Sequence, residues 1–508
     1  MIKTKLTLLT LLISPLLLAQ PSKAIKLNPN TAPYPLGNPV IRHMYTADAA
    51  PHVLPDGRVW MITSVDRDEG GGYETMSEYH TFSSADMVSW IDHGRVLHVD
   101  SIRPADAPKA DKYALWAPDM IYRNGTYYLY FPIRILHTDK TGPNGGRSTS
   151  SYLAIATSKH PSQPFTVVVP RMEGTTGIDP SVFIDDDGQA FLYWGHKKVA
   201  KLADDMLSLA SPVVELPIGT DIFMEASWMH KRGGKYYFNY HTKYNWQTKV
   251  TKENHDSPSR KKSELAWSVG NSPLGPLAFG GTLNYEPGVG VSEGPRHPEG
   301  NFPPWRYTLS NHGGIVEYHG TDYLFYHTSA LSSWRQDYFK AEGTWTQRSV
   351  CIDRIEYAAD GSPLPVRQTI TGVAPVRVNQ AFSILPQLPD PASAKDCSQR
   401  QGRIVARDGS ILPLKGVPLG TGYYYFRTLV HRSPAKARIE VRKDNSDGPL
   451  LGTILLDASS PTTNAGKAET FLREARGTSD VYLVFKAETG AEIEIEKPEF
   501  FAGSPQPL

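Results

Sequence analysis

A polar turn containing glycine, followed at once by aromatic and β-branched residues, recurs five times along this 508-residue chain. The segments are LPDGRVWMI around Gly57, YRNGTYYLYF around Gly125, DDDGQAFLYW around Gly188, KRGGKYYFNY around Gly234 and EYHGTDYLFY around Gly320. Each predicts a tight hairpin entering a strand. Glycine takes the positive φ that such turns need, and the residues that follow suit a pleated, half-buried surface. Secondary markers lie between them. SSADMVSWIDHG (83–94), IATSKHPSQPF (155–165) and LAWSVGNSPLGPL (265–277) each follow a Tyr-rich strand and predict the outer half of the same antiparallel unit. No sustained 3.6-residue apolar period occurs in this region, which argues against helices. A unit of this kind cannot bury both faces alone. Five of them stacked about one axis predict a five-bladed β-propeller over residues 25–380.

The pattern then changes. LPQLPDPASAKD (385–396) is Pro-rich and predicts a linker, placed at 381–395. Beyond Trp345 there is no further Trp. Short alternating runs follow: YYYFRTLV (423–430), ARIEVRK (437–443), GTILLD (452–457), VYLVFK (481–486) and AEIEIEKPEFF (491–501). These predict a small antiparallel β-sandwich over 396–508. The expected fold class is therefore all-β, a five-bladed β-propeller followed by a small antiparallel β-sandwich. The polar stretch between Lys249 and Lys262 reads as a solvated loop.

The N-terminus, MIKTKLTLLTLLISPLLLAQPSKA, carries a basic start at Lys3 and Lys5 and an apolar run from residue 6 to 18. Ser22-Lys23-Ala24 offers a small-x-small cleavage site, with Ala19 as a rival. This predicts a secretory signal over 1–24 and export to the periplasm or the exterior, with no membrane span. Formal net charge is +1, from 53 basic and 52 acidic side chains, which gives no reason to expect nucleic acid or another polyanion as partner. The 26 Tyr and 10 Trp suit carbohydrate, whose C–H faces pack on aromatic rings, although most of them read as blade core. An exported chain could pair its two cysteines, Cys351 and Cys397.

Nine residues before each turn glycine stand Asp48, Trp116, Asp179, Glu225 and Asn311, with His312 next to the last. Equivalent positions in a repeat architecture form a ring about the axis. Asp or Glu at the start of a strand is ordinarily a turn or capping residue, but three at one equivalent position suggest chemistry. Hydrolysis of a glycosidic bond by the usual route needs a protonated acid and a second carboxylate, and a third nearby can raise the acid's pKa and orient it. Three carboxylates could also hold calcium.

The same stretches resemble glycoside hydrolase family 43. They are YTADAAPHVL (45–54), LWAPDMIYRNGTYYLYF (115–131), GIDPSVFIDDDGQAFLYWG (177–195), FMEASWMHKRGGKYYFNY (223–240), NHGGIVEYHGTDYLFYH (311–327) and RSVCIDRIEYAADG (348–361). The resemblance implies a five-bladed propeller that hydrolyses O-glycosyl bonds with inversion, as a β-xylosidase, α-L-arabinofuranosidase or arabinanase. It implies that Asp48 is the general base, Asp179 the carboxylate that tunes and orients the acid, and Glu225 the general acid. The chain departs from the family's pattern by reading Asp48-Ala49-Ala50-Pro51 where Asp-Pro is common, and Glu225-Ala226-Ser227 where Glu-Gly-Pro is common. Glu293-Gly294-Pro295 matches the latter motif but lacks a strand turn nine residues on. The resemblance further implies a calcium ion near His312, its shell completed by water, and sugar contacts from Trp116 and Arg348. No organic cofactor is implied. The C-terminal region resembles a family 6 carbohydrate-binding module through IEVRKDNSDGPLLGTI (439–454) and DVYLVFK (480–486). The Trp such modules use for stacking is missing from ASSPTTNAGKAETF (458–471), and Tyr423, Tyr424 and Tyr425 are the remaining aromatic candidates. The partner expected is thus a carbohydrate, most readily a hemicellulose fragment. A retaining glycosidase of a related five-bladed clan and a catalytically silent sugar-binding propeller are the alternatives.

Overall fold

The computed structural model describes residues 37–376, 382–384 and 394–502, apart from 69–72, 110, 142–146, 244–263, 286–310, 333–334, 336–346, 421–424, 435, 457–465, 474 and 476. The expected signal segment, the polar loop after Lys249, Glu293–Pro295, most of the Pro-rich linker, Tyr423 and Tyr424 lie outside the described residues.

All five predicted hairpins form. Thr46–Val53 pairs with Val59–Val65, Asp119–Arg123 with Thr126–Thr141, and Ser181–Ile184 with Ala190–Trp194, each antiparallel. Phe223–Arg232 pairs with Lys235–Thr242 and Gly314–Tyr318 with Thr321–Thr328 in the same way. The five turn glycines have φ of 72°, 78°, 84°, 70° and 80°, the left-handed region that a side chain would strain. Outer strands complete each hairpin into its own antiparallel sheet of four, five, four, four and three strands. The three markers between the hairpins fall on these outer strands, as at Glu78–Ser84 and Ile91–His98.

The first strand of each hairpin lies against the first strand of the next, and Gly314–Tyr318 lies against Thr46–Val53. That last approach is close: a Cβ on Gly314 would stand 2.2 Å from the Pro51 ring and 2.8 Å from the Ala49 carbonyl. Polar groups tie neighbouring sheets at the same level. Asp119, with no exposed surface, takes one hydrogen bond from His52 of the first sheet (2.7 Å) and one from the Val182 amide of the third (2.7 Å). The Trp228 indole donates to the Ile315 carbonyl at 3.1 Å, joining the fourth sheet to the fifth. Strand Val59–Val65 is buried at every position, so both its faces are covered by neighbours. Trp60, Trp194, Tyr79, Tyr130, Tyr193 and Tyr240 are fully buried. Much of the aromatic excess is therefore core, and each such ring contributes packing at native density rather than a sugar surface.

Residues from 394 onward form two more antiparallel sheets. One takes the order Ser398–Arg400, Arg403–Ala406, Ile493–Ala502, Tyr425–Arg432, Gly466–Phe471, with Phe382–Ile384 added at Ile493–Ala502. The other runs Ile411–Gly420, Gly477–Lys486, Ala437–Lys443, Leu450–Leu456. Ile439, Val441, Leu483 and Phe485 of the second share one buried cluster with Phe426, Val430, Ile493 and Phe500 of the first. The same cluster continues into Val53, Met61, Tyr318 and Phe325 of the N-terminal sheets. Polar contacts reinforce that junction. Tyr425 donates to the Val53 carbonyl, Tyr122 donates to Glu469, and Arg473 pairs with Asp186 at 2.8 Å. The strands at 411–420 and 466–471 carried no sequence signal: the first holds two prolines and two glycines, and the second is half-exposed and polar. Both cysteines are free, so no disulfide forms. Among the described residues no helix is long and apolar enough to cross a membrane.

Candidate active site

Backbone irregularity is what turns the carboxylates inward. In the first hairpin Ala47 pairs with Ser64 and Ala50 with Ile62, so the strand carrying Asp48 holds one residue more than its partner. In the fourth, Glu225 pairs with His241 and Trp228 with Asn239, again with an extra residue. Bulges re-aim side chains and are frequent beside functional sites. Asp48, Asp179 and Ala226 all take positive φ, at 56°, 54° and 64°. A left-handed non-glycine residue costs about 1–3 kcal/mol and persists only where its surroundings enforce it. The strain falls on two of the carboxylates and on the residue that follows the third.

Asp48 is 3% exposed and fully engaged. Its Oδ1 accepts from Arg348 at 2.8 Å, with His312 Nε2 at 3.4 Å and His327 Nδ1 at 3.8 Å. Its Oδ2 accepts from the Ser64 hydroxyl. Burial raises its pKa, but the Arg348 guanidinium, the two imidazoles and the Ser64 hydroxyl outweigh burial and bring it down to about 2. Asp179 behaves oppositely. Burial, together with the charges of Glu225 and Asp48, pushes it up to about 7 against the opposing influence of His312. Its Oδ2 accepts from the Ala226 amide at 3.1 Å, so Asp179 holds the peptide that immediately follows Glu225. His312 Nε2 lies 3.9 Å from the same oxygen. One imidazole therefore stands between Asp48 and Asp179.

Glu225 has His241 Nδ1 at 3.7 Å. Burial raises the Glu225 pKa, but the His241 contact and the charge of His312 bring it below the usual value. The charge of Asp48 acts upward on Glu225, as expected of a neighbouring carboxylate, but is outweighed. The two neighbours thus shift in opposite directions, Asp179 upward through burial and Glu225 downward through its contact with His241.

The remaining candidates gather round the same point. Arg348 is 2% exposed, not a surface ion pair. Beside Asp48 it binds Asp66 through Nε (3.0 Å) and Nη2 (2.8 Å), and its backbone amide donates to Asp66 as well (2.8 Å). Its guanidinium lies over the Tyr73 ring at 4.9 Å. Trp116 meets that ring edge-on at 6.0 Å and donates from Nε1 to the Tyr73 carbonyl at 2.9 Å. Trp116 also carries the Arg134 guanidinium on its face, 4.7 Å away. Asn311 is wholly buried and holds the His327 amide at 3.1 Å. A cavity of about 20 Å³ opens where Asp48, Asp179, His312, Trp228 and the peptide of Ala226 and Ser227 meet. That is room for about one water molecule.

Among the described residues no group of three or more His, Cys, Asp or Glu side chains is arranged to hold a metal ion. Calcium takes six to eight oxygen ligands. His312 offers one imidazole nitrogen, so a calcium there would take most of its ligands from water, as the resemblance implies.

Sequence reasoning missed Ser64, Asp66, His241, His327, Tyr73 and Asp119. Three of them carried a signal. Ser64, His241 and His327 each stand seven residues past a turn glycine, and so face the candidate positions across the hairpin.

Three carboxylates brought together from three sheets, one of them bound by an arginine and one holding the peptide beside the third, are the equipment of a glycoside hydrolase. The chain belongs to glycosyl hydrolase family 43, whose family model matches residues 36–278. It is 33% identical over 381 residues to a protein named xylosidase/arabinosidase 43A from Humicola insolens, an alignment covering 64% of this chain and 97% of the relative. It is 25% identical over 503 residues to an arabinoxylan arabinofuranohydrolase of Bacillus subtilis, covering 88% of this chain and 89% of that one. A solved structure, described as a family 43 arabinoxylan arabinofuranohydrolase from Bacillus subtilis in complex with cellotetraose, superposes with a TM-score of 0.51 at 22% identity. It covers 92% of this chain and 97% of its own, which extends the likeness in fold across the C-terminal sheets.

Proposed function

We propose that this enzyme is an exported, inverting glycosidase that releases xylose or arabinose from hemicellulose fragments. The relatives' names support that substrate class. The five N-terminal sheets are read as the blades of a propeller, supported by the succession of first-strand contacts that returns from Gly314–Tyr318 to Thr46–Val53. Residues 25–380 are its catalytic part. Residues 396–508 are read as a β-sandwich related to family 6 carbohydrate-binding modules. The N-terminal basic and apolar run supports export.

The observation that carries the mechanism is geometric: Asp48 is bound by Arg348 at 2.8 Å, Asp179 holds the Ala226 amide beside Glu225 at 3.1 Å, and His312 stands between the two carboxylates. Asp48 serves as the base. Arg348 keeps it anionic throughout the working range and fixes its orientation, so that a water lodged beside it can lose a proton to it as it attacks the anomeric carbon. Glu225 serves as the acid. A sugar entering the site strips water from Glu225, which favours its neutral form. The Asp179–Ala226 bond keeps Glu225 in register with the leaving oxygen. Trp116, stacked beneath Arg134 and beside Tyr73, forms a wall for the sugar ring. No step is routed through calcium.

The test is a panel of nitrophenyl glycosides and natural xylo- and arabinoxylo-oligosaccharides. Turnover of xylosides or arabinofuranosides, abolished in Asp48→Asn, is the expected result. Absence of turnover on every pentoside would favour the silent sugar-binding reading.

A further inference from the structure

We infer that the recess between the N-terminal sheets and the C-terminal sheets is a second carbohydrate site, built for a neutral sugar unit or short oligosaccharide and separate from the carboxylate cluster. The recess encloses about 360 Å³, within the range of small-ligand pockets. It lies at the far ends of the strands whose beginnings carry the active site. Residues 51–54, 182–186, 228–233 and 315–317 line it, whereas Asp48, Asp179 and His312 line the catalytic cavity. The two linings adjoin along the strands, with Ala50 on one side and Pro51 on the other, and Gly314 on one side and Ile315 on the other. Trp228 borders both and forms the partition.

The chemistry of the walls selects the ligand. Three of the cations there are matched by close carboxylates. Lys231 Nζ stands 2.8 Å from Asp185 and 2.8 Å from Asp186, Arg473 Nε stands 2.8 Å from Asp186, and Arg232 Nε stands 2.9 Å from Asp322. A charged ligand would break one of these pairs, whereas hydroxyl groups can add to them. Trp228, Ile184, Val316 and Leu455 supply apolar surface on which sugar C–H groups can pack, while the Phe183 and Phe471 rings carry the Arg473 guanidinium at 4.7 and 5.2 Å. Two polar atoms in the lining are left over. Thr453 is 5% exposed, yet its hydroxyl has no hydrogen-bond partner among the described residues, and neither does the buried Nδ1 of His230. A buried polar atom without a partner costs about 1–3 kcal/mol, which a ligand hydroxyl would offset. The C-terminal sheets then bind sugar at their junction with the catalytic part, where Thr453, Glu469 and Arg473 face the recess, without the stacking Trp that the isolated module lacks.

The experiment is calorimetric titration of full-length Glu225→Gln with xylobiose, alone and with Thr453→Phe added to fill the recess. Two binding events are expected in Glu225→Gln, with the second weakened about tenfold or more by Thr453→Phe. If Thr453→Phe does not fold, Thr453→Val removes the hydroxyl at nearly constant volume and should weaken the same event. Turnover of Thr453→Val in the otherwise native enzyme should match the parent, which separates this site from the catalytic reading. A stoichiometry of one in Glu225→Gln, or two events that both ignore Thr453, overturns the inference.

Discussion

Arg348 and Asp48 stand 300 residues apart in sequence and 2.8 Å apart in space, and the guanidinium that reaches Asp48 is itself clamped by Asp66. This places the ionisation of Asp48 under the control of a side chain on a different sheet. Arg348→Lys keeps one charge but cannot serve both carboxylates, because the planar fork is lost. The Asp48 pKa should then rise from about 2. The acid limb of the kcat/KM profile, which reports the free enzyme, should move to higher pH, with kcat/KM near neutrality reduced on the order of 10²-fold. An acid limb that stays in place with full activity would separate Arg348 from Asp48.

Asp179 gives a stability test. In the unfolded chain it ionises near 3.8; in the folded protein it ionises at about 7. Between those values the unfolded state has released a proton that the folded state retains. The contribution of Asp179 is therefore fully present below about pH 4 and is lost as pH rises through about 7. Asp179→Asn can still accept the Ala226 amide, and it carries no such penalty. Thermal unfolding at pH 8 should show the variant more stable than the parent by on the order of 2 kcal/mol, with the gap closing below pH 5. Activity should fall sharply in the same variant. Equal stability of variant and parent at both pH values would remove the raised pKa.

Leaving-group dependence isolates Glu225. Glu225→Gln should lower kcat on natural oligosaccharides about 10³-fold or more, since a sugar alkoxide needs protonation to depart, while aryl glycosides with acidic phenols lose far less. Steady-state rates across a series of aryl leaving groups provide the check. Equal, mild losses along the whole series would take the role of acid from Glu225.

The shared core makes a prediction about unfolding. One buried cluster runs from Ile439 and Phe485 through to Val53 and Tyr318. Calorimetry of the full chain should therefore show coupled unfolding, and deletion of residues 394–508 should lower the unfolding temperature of what remains. Two well-separated transitions, with the N-terminal part unaffected by the deletion, would mean that the C-terminal sheets fold as an independent appendage.

The hairpins were readable because each turn glycine sits between a polar turn and a continuous buried strand such as Val59–Val65, and local sequence fixes both. The ring of candidates was readable for the same reason, since a constant offset from the turn selects one level of the sheets. Ser64, His241 and His327 occupy the matching level on the second strand and could have been found by stepping forward seven residues. Asp66, Tyr73 and Asp119 could not, because their partners Arg348, Trp116 and His52 depend on how outer strands and neighbouring sheets meet. The opposite shifts of Asp179 and Glu225 were equally hidden. The downward one needs His241 beside Glu225, a contact between two strands of the fourth sheet. The strands at 411–420 and 466–471 were missed because prolines and exposed polar residues mask their pairing.

The central claim is that Asp48 acts as a base on water and not as a nucleophile. An inverting enzyme keeps its two carboxyl groups roughly 6.5–9.5 Å apart to admit that water, and a retaining one brings them to about 5–5.5 Å. Proton NMR of the reaction in progress reads the outcome directly, before mutarotation scrambles the product. The account predicts that the first-formed pentose carries the anomeric configuration opposite to that of the substrate. A first product of unchanged configuration, accompanied by a trapped glycosyl ester on Asp48, would contradict it.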